Sequence, residues 1–330
     1  MKPPPPAAIR ALLNWFRDHA RDYPWRRTVD PYAILVSEMM LQQTRIQTVL
    51  DRGYYDRWMN RFPDVTTLAA AEETDVLRLW EGLGYYSRAR NLLKAAKAVV
   101  ERHGGKFPPT VAELEKLPGV GPYTARALAA FAFDAPVPVI DGNVIRVVAR
   151  WIGYRQPVDS ANGAKAIHDA TAAMVPNSGG RAFGSALMEL GQVICLPRNP
   201  DCESCPVGRW CVSRDKDPEA LPMKKPRPAI TEVEETAILA LKNGRILLHR
   251  ETGRRRHGLW KLPERDAKEV NEGSLILETT YSITRYKVRL RIYRAGGIVK
   301  LGPDESWIPL SELDDHPMPS PYRRALNGLV

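Results

Sequence analysis

LPGVGPYTARALAAFAFDAPVPVIDGN, residues 117–143, is the stretch around which the rest of the chain is organised. Its opening, Leu117-Pro118-Gly119-Val120-Gly121, is a turn with two glycines, which reach positive φ at little cost and let another backbone come close. The alanine-rich run 123–133 predicts a well-packed helix. The turn therefore ends at a helix N-terminus, where free N–H groups and the helix dipole attract an anion such as a phosphate. Past that helix, the apolar, proline-bearing run 135–140 delivers one carboxylate, Asp141, with Gly142 and Asn143, to the start of a further predicted helix over 144–152. An anion clamp and a single carboxylate thus stand at opposite ends of one helix. A plain helix–helix turn followed by an N-cap aspartate fits the same letters, so the choice depends on the remainder of the chain.

The chain has 330 residues, enough for two domains, and a hydrophobic content of 44%, ordinary for a globular core. A net charge of +10 and a pI of about 9.5 point to a polyanionic partner, most simply nucleic acid. No apolar run approaches a membrane span, and the start, MKPPPPAAIR, carries no signal-peptide core. A cytoplasmic protein with a frayed proline-rich start and no membrane partner is expected. The four cysteines lie together as Cys195-x6-Cys202-x2-Cys205-x5-Cys211. In a cytoplasmic protein such a cluster points to metal rather than to disulfides. Structural zinc usually pairs two short C-x2–4-C knuckles. The uneven spacing here suits a four-thiolate iron–sulfur cluster better, with zinc as the alternative.

Ahead of the central stretch, Ile9, Leu12, Leu13 and Phe16 make a helical stripe. Tyr23-Pro24-Trp25-Arg26-Arg27 breaks it and sets an aromatic beside two arginines, which fits a plain surface loop and equally a strand-backbone contact. Residues 31–50 read as one helix, with Glu38 among Ile34, Leu35, Met39, Met40 and Leu41. A carboxylate in so apolar a segment is either turned to solvent or buried with a raised pKa, and a raised pKa makes a general acid near neutral pH. Gln42 and Gln43 follow; such amides read base edges. The run Gly82-Leu83-Gly84-Tyr85-Tyr86-Ser87-Arg88-Ala89-Arg90 suits stacking plus phosphate contact, and equally a buried tyrosine pair in a helix turn.

Residues 162–175 and 181–194 read as two more amphipathic helices, and 214–229, rich in proline and charge, as a linker. From residue 230 the period changes. Lys242-Asn243-Gly244 between apolar runs signals a hairpin. Residues 285–293 alternate, with Arg285, Lys287, Arg289 and Arg291 on one face and Tyr286, Val288, Leu290 and Ile292 on the other. That predicts a half-buried strand with a cationic outer face in a small α+β domain over 230–330.

Five separated motifs now carry a specific resemblance: Ser37-Glu38-Met39-Met40-Leu41-Gln42-Gln43-Thr44, Gly82-Leu83-Gly84-Tyr85-Tyr86, Leu117-Pro118-Gly119-Val120-Gly121, Ile140-Asp141-Gly142-Asn143-Val144, and the four cysteines. From Pro24 to Cys211 the chain resembles the helix-hairpin-helix base-excision glycosylases, most closely the MutY-type adenine DNA glycosylases. The resemblance implies a mostly α-helical, two-lobed helix-hairpin-helix domain over 1–213. Within it, Cys195, Cys202, Cys205 and Cys211 would hold a [4Fe–4S] cluster in the loop 195–211. After the linker, a Nudix-like lesion-recognition domain would occupy 230–330.

By the same resemblance Glu38 protonates adenine and helps activate water, and Asp141 stabilises an oxocarbenium-like sugar, with Asn143 beside it in the catalytic group. Gln43 and Tyr85 wedge into the duplex once the base leaves the stack. The hairpin with Gly119 and Gly121 holds the phosphate next to the lesion, and Arg26 and Gln42 join the DNA contacts. The expected partner is double-stranded DNA with an A:8-oxoguanine or A:G mismatch, bound by a monomer.

Two departures shape the expectation. Tyr123 stands where the lyases of this superfamily carry a nucleophilic lysine, and a phenol forms no Schiff base. A monofunctional enzyme is expected, with Tyr123 assisting catalysis. The family's lesion-reading Phe-Ser-His loop is matched here by Ile283-Thr284-Arg285. Thr284 and Arg285 are therefore candidates to read the opposite base, and the lack of a glutamate-rich Nudix box implies binding without pyrophosphate hydrolysis. A mismatch thymine glycosylase is the rival reading, since it shares the fold, the cluster and the tyrosine; Gln42-Gln43 and the C-terminal domain favour adenine. A non-catalytic DNA-binding scaffold is opposed by the presence of both Glu38 and Asp141.

Overall fold

A computed structural model describes residues 4–226, 228–253, 256–266, 275–296 and 299–330; the first residues of the proline-rich start and residue 227 of the expected linker lie outside them. Helices fill the first part of the chain: α1 Pro6–His19, α2 Pro31–Leu41, α3 Ile46–Asp51, α4 Tyr54–Arg61, α5 Val65–Ala69, α6 Glu73–Leu79 and α7 Ser87–His103. After these come α8 Val111–Leu114, α9 Pro122–Phe133, α10 Gly142–Ile152, α11 Ala161–Ala172 and α12 Gly180–Val193. The strands are β1 Thr231–Leu239, β2 Leu241–Lys242, β3 Arg245–Arg250, β4 Trp260–Lys261, β5 Leu275–Ile283, β6 Tyr286–Arg294 and β7 Glu305–Pro309, followed by α13 Ser320–Leu326. No helix among the described residues is long and apolar enough to cross a membrane.

Contacts divide the chain into two units, and the division does not follow the sequence boundaries at 213 and 230. One unit holds the chain up to Gln42, Asp64–Thr66 and Lys94–Pro226. The other holds Gln43–Pro63, Thr67–Leu93 and the described residues beyond 227.

In the first unit the core is built from the apolar stripes of α1, α10, α11 and α12, with Leu12, Val147, Trp151, Ile167, Phe183 and Leu187 buried together. α8 and α9 form the expected hairpin: Gly119 takes φ +75°, Val120 is buried, and α9 begins at Pro122. The residues read as a linker are tied down here up to Pro226. Leu221 is buried and its carbonyl accepts from Arg150 Nε at 3.0 Å, and Val158 N–H donates to the Met223 carbonyl at 2.9 Å. Apart from the single 3-10 turn Pro218–Ala220, proline and charge marked the absence of helix and strand in this segment, not the absence of packing. The single helix expected over 31–50 is also broken. α2 is capped by Asp30 and stops at Leu41, because Gln42 is extended and Gln43 takes φ 57°, a left-handed backbone that ends a right-handed helix.

In the second unit Trp58 meets Phe62 and Trp80 edge-to-face at 5.3 and 5.4 Å. The sheet portion has the order β1-β6-β5, with β1 parallel and β5 antiparallel to β6; separately, β3 pairs with β2, β4 and β7. Asn243 and Gly244, at φ 49° and 69°, make the β2–β3 turn that the sequence announced. Val288, Leu290 and Ile292 of β6 point into a core with Tyr322 and Leu326 of α13. The cationic face of β6 is neutralised across the sheet. Lys287 pairs with Glu232 at 3.0 Å, Arg291 with Glu278 at 3.0 Å and Glu234 at 3.6 Å, and Arg289 with Glu278 at 3.9 Å. Among the described residues Arg285 has no carboxylate partner; its guanidinium lies 5.2 Å from the Tyr286 ring centroid.

Candidate active site

α2 is apolar nearly all round, and Tyr32 to Met40 are buried. Glu38 is therefore carried into the interior with only 9% of its surface exposed. Loss of hydration pushes its carboxyl up to about 7, against a hydrogen bond from the Tyr123 side chain that favours the ionised form; the nearby Asp141 carboxylate adds to the rise. Tyr123 stands in the first turn of α9, which packs against α2. Burial and the same two carboxylates hold its phenol protonated, far above the ordinary tyrosine range. The neighbouring Thr124 accepts from Gln42 Nε2 at 3.4 Å, so Gln42 helps fasten the end of α2 to the start of α9.

Asp141 takes the capping position that its sequence allowed. It is the N-cap of α10, its Oδ1 accepting from Val144 N–H at 2.7 Å, while Oδ2 accepts from Asn143 Nδ2 at 2.7 Å. Asn143 does not stand alone: its Oδ1 accepts from Arg146 Nη2 at 2.9 Å. Arg146 also donates to the Gly191 carbonyl at 2.7 Å and, through Nε, to the Cys195 carbonyl at 2.8 Å. The close approach needs a glycine, since a Cβ on residue 191 would lie 2.7 Å from the Asn143 Cβ. Sequence reasoning missed Arg146; the signal was its place three residues after Asn143, one turn along the same helix face.

The remaining candidates fall in several places. Gly121 leaves the N-terminus of α9 without a side-chain cap, and Gly119 sets the turn before it. In the second unit Gln43 and Tyr85 both hold left-handed backbone, and Tyr85 is exposed. Arg26 is committed elsewhere. Its guanidinium binds the fully buried Glu189 of α12 at 2.7 Å, donates to the Arg21 carbonyl at 2.9 Å and covers the Tyr23 ring. It is a fastener of the Pro24–Arg26 turn, not an open cation. Thr284 and Arg285 form the two-residue tip of the β5–β6 hairpin, with Thr284 at φ 53°, a strained conformation for a β-branched residue.

Cys195, Cys202, Cys205 and Cys211 are free thiols that line one pocket with the guanidinium-bearing Arg150 and Arg214. Arg150 is buried, donating to the carbonyls of Leu196 and Pro197 at 2.6 and 3.0 Å and to Cys195 Sγ at 3.4 Å. Burial pushes the Cys205 thiol up to about 12; a backbone N–H from Val207 opposes this, and the other three thiols reinforce it. Among the described residues no group of His, Cys, Asp or Glu forms a site for a single metal ion.

The α8–α9 hairpin with one buried carboxylate, Glu38, and one part-buried carboxylate, Asp141, is the arrangement expected of a base-excision DNA glycosylase. The model of the HhH-GPD superfamily base excision DNA repair proteins matches residues 36–174. An adenine DNA glycosylase of Buchnera aphidicola (Schizaphis graminum) is 31% identical over 252 residues, covering 76% of this chain and 71% of that protein. This chain belongs to the adenine DNA glycosylase family. The adenine DNA glycosylase of Rattus norvegicus is 44% identical over 211 residues, 61% of this chain, which spans only 40% of that relative's length. Among solved structures, a thermostable thymine-DNA glycosylase aligns at TM-score 0.57 and 29% identity, covering 62% of this chain and 94% of that one. A non-covalent endonuclease III–DNA complex, 22% identical at TM-score 0.53, shares the fold.

Proposed function

We propose that the chain is a monofunctional glycosylase that hydrolyses the N-glycosidic bond of adenine mispaired with 8-oxoguanine or guanine in duplex DNA. The observation that carries this reading is the buried Glu38, hydrogen-bonded to Tyr123 beside Asp141, with a carboxyl that titrates near 7. At neutral pH much of Glu38 carries a proton to give to a ring nitrogen of adenine. The C1′–N bond then breaks with its electron pair leaving on the base, and the Asp141 carboxylate faces the positive charge left on the sugar. Glu38, now ionised, takes a proton from water as the water oxygen bonds to C1′, and the acid is restored. Tyr123 offers no amine, so the strand stays intact.

Extrusion of the base would be supported by Gln43 and Tyr85 wedged into the duplex and by a phosphate at the α9 N-terminus. The four thiols of one pocket fit a [4Fe–4S] cluster, which would brace the loop 195–211. The sheet domain reads as a Nudix-like lesion reader, presenting Thr284 and Arg285 to the base opposite adenine.

A glycosylase assay on duplexes holding A or T opposite 8-oxoguanine or G tests the proposal. Adenine released, with the product strand intact until alkali is added, is the expected result. Release of thymine alone would favour the second reading, which the solved thymine-DNA glycosylase at 29% identity supports. Strand cleavage with a borohydride-trapped adduct would overturn the monofunctional assignment.

A further inference from the structure

The loop Gly82-Leu83-Gly84-Tyr85 is held in a conformation it would not keep alone. Gly82, Gly84 and Tyr85 take φ 97°, 68° and 46°, and a Cβ on residue 82 would collide with the Tyr54 hydroxyl at 2.0 Å. A tyrosine in left-handed backbone persists only where its surroundings over-determine it. Part of the restraint is local: Trp80 Nε1 donates to the Gly84 carbonyl at 3.0 Å, and Arg88 Nη2 to the carbonyls of Leu83 and Gly84 at 2.9 and 3.0 Å.

The other part comes from the far end of the chain. Glu81, one residue before the loop, pairs with Arg323 Nε at 2.7 Å and accepts from Met318 N–H at 3.2 Å. Tyr86, one residue after it, donates its hydroxyl to the Met318 carbonyl at 2.6 Å. One backbone unit, Met318, thus ties down both flanks of the loop. Met318 is itself fixed between Pro317 and Pro319 and buried in the core of the sheet domain. Arg323 is in turn held by the carbonyl of His316 at 2.7 Å.

We infer that Met318 and Arg323 form a clamp, through Glu81 and Tyr86, that positions the Tyr85 ring, so that the sheet domain sets how well the wedge enters the duplex. The inference rests on the reading of Tyr85 as a wedge in a DNA glycosylase. None of the clamp residues belongs to the carboxylate site; they are positioning residues, acting through Tyr85.

The test uses the full chain on a duplex with 2-aminopurine or adenine opposite 8-oxoguanine. Glu81→Gln, Tyr86→Phe and Arg323→Ala are each measured alone and combined with Tyr85→Ala. The readouts are single-turnover excision of adenine and 2-aminopurine fluorescence as a signal of base extrusion. Alone, each variant should lower both by about tenfold, the scale of a small misplacement of a positioning group. In the Tyr85→Ala background the same changes should cost less than about twofold, since residues that act through one another are not additive. Equal losses in the two backgrounds, or single variants at the wild-type rate, overturn the clamp. Tyr86→Phe deletes one hydroxyl and Glu81→Gln keeps its volume, so these two decide the matter if Arg323→Ala melts. A wild-type chain that excises no adenine overturns the glycosylase reading, and the clamp with it.

Discussion

The carboxylate site of the first unit and the β5–β6 hairpin of the second treat charge in opposite ways. Glu38 and Asp141 are held by half-buried groups: a phenol for one, a backbone N–H and an amide for the other, and an arginine behind the amide. Arg285 stands at an exposed tip, while every other cation of its strand face is spent on Glu232, Glu234 or Glu278. Bond-breaking needs a proton donor with a tuned pKa and a fixed anion; burial tunes the first, and hydrogen bonds to the carboxylate fix the second. Recognition of a large polyanion needs reach and exposure, and hydrated cations supply those. The first region removes a carboxyl from water; in the second, among the described residues, Arg285 has no carboxylate partner while Lys287, Arg289 and Arg291 do.

The sharpest way to break this contrast is to remove either carboxylate. Glu38→Gln and Asp141→Asn should each lower single-turnover excision by at least roughly 10²–10⁴-fold while leaving duplex binding close to wild type. A rate near wild type for either variant would remove that residue from the chemistry.

The next largest effect is pH dependence. Excision should be level below pH 7 and fall about tenfold per pH unit above it, as Glu38 loses its proton. Tyr123→Phe removes a hydrogen bond that favours the ionised carboxyl, so it should move the bend in the pH–rate profile upward.

Stability should show the cost of the buried acid. The folded state binds the Glu38 proton more tightly than the unfolded chain, with the carboxyl raised from 4.5 to about 7. Its contribution is therefore fully present below pH 4.5 and is lost as pH rises through 7. Glu38→Gln, though inactive, should melt at the wild-type temperature at pH 4 and above it at pH 8, by up to about 3 kcal/mol of unfolding free energy. Equal melting temperatures at pH 8 would mean that Glu38 is not held away from water.

The smallest effect belongs to the hairpin. If Arg285 reads the base opposite adenine, Arg285→Ala and Thr284→Ala should weaken binding unequally on A:8-oxoguanine and A:G duplexes, with a difference of about 1–3 kcal/mol for Arg285. Equal losses on the two duplexes would leave Arg285 a phosphate contact and nothing more.

What the amino-acid order determined by itself is local. The glycine turn 117–121, the helix after it, the Asn243-Gly244 hairpin and the alternation of β6 follow from backbone φ limits and side-chain period, which act over a few residues. The clustering of the four cysteines and the placing of Glu38 in an apolar segment were legible in the order of residues, while the roles expected of Glu38 and Asp141 came from the resemblance. Only the tertiary structure decided which side of each ambiguity holds. Glu38 is buried because α2 has no solvent face, and Asp141 is a cap and a held carboxylate at once. Arg26 is tied to Glu189, 163 residues away, and the cations of β6 are paired with acids on β1 and β5. Gln42-Gln43 breaks a helix that periodicity would have continued, and residues 43–63 and 67–93 share a unit with the sheet portion rather than with the hairpin. Each of these depends on which distant side chain arrives at a given point, and period and propensity carry no information on that.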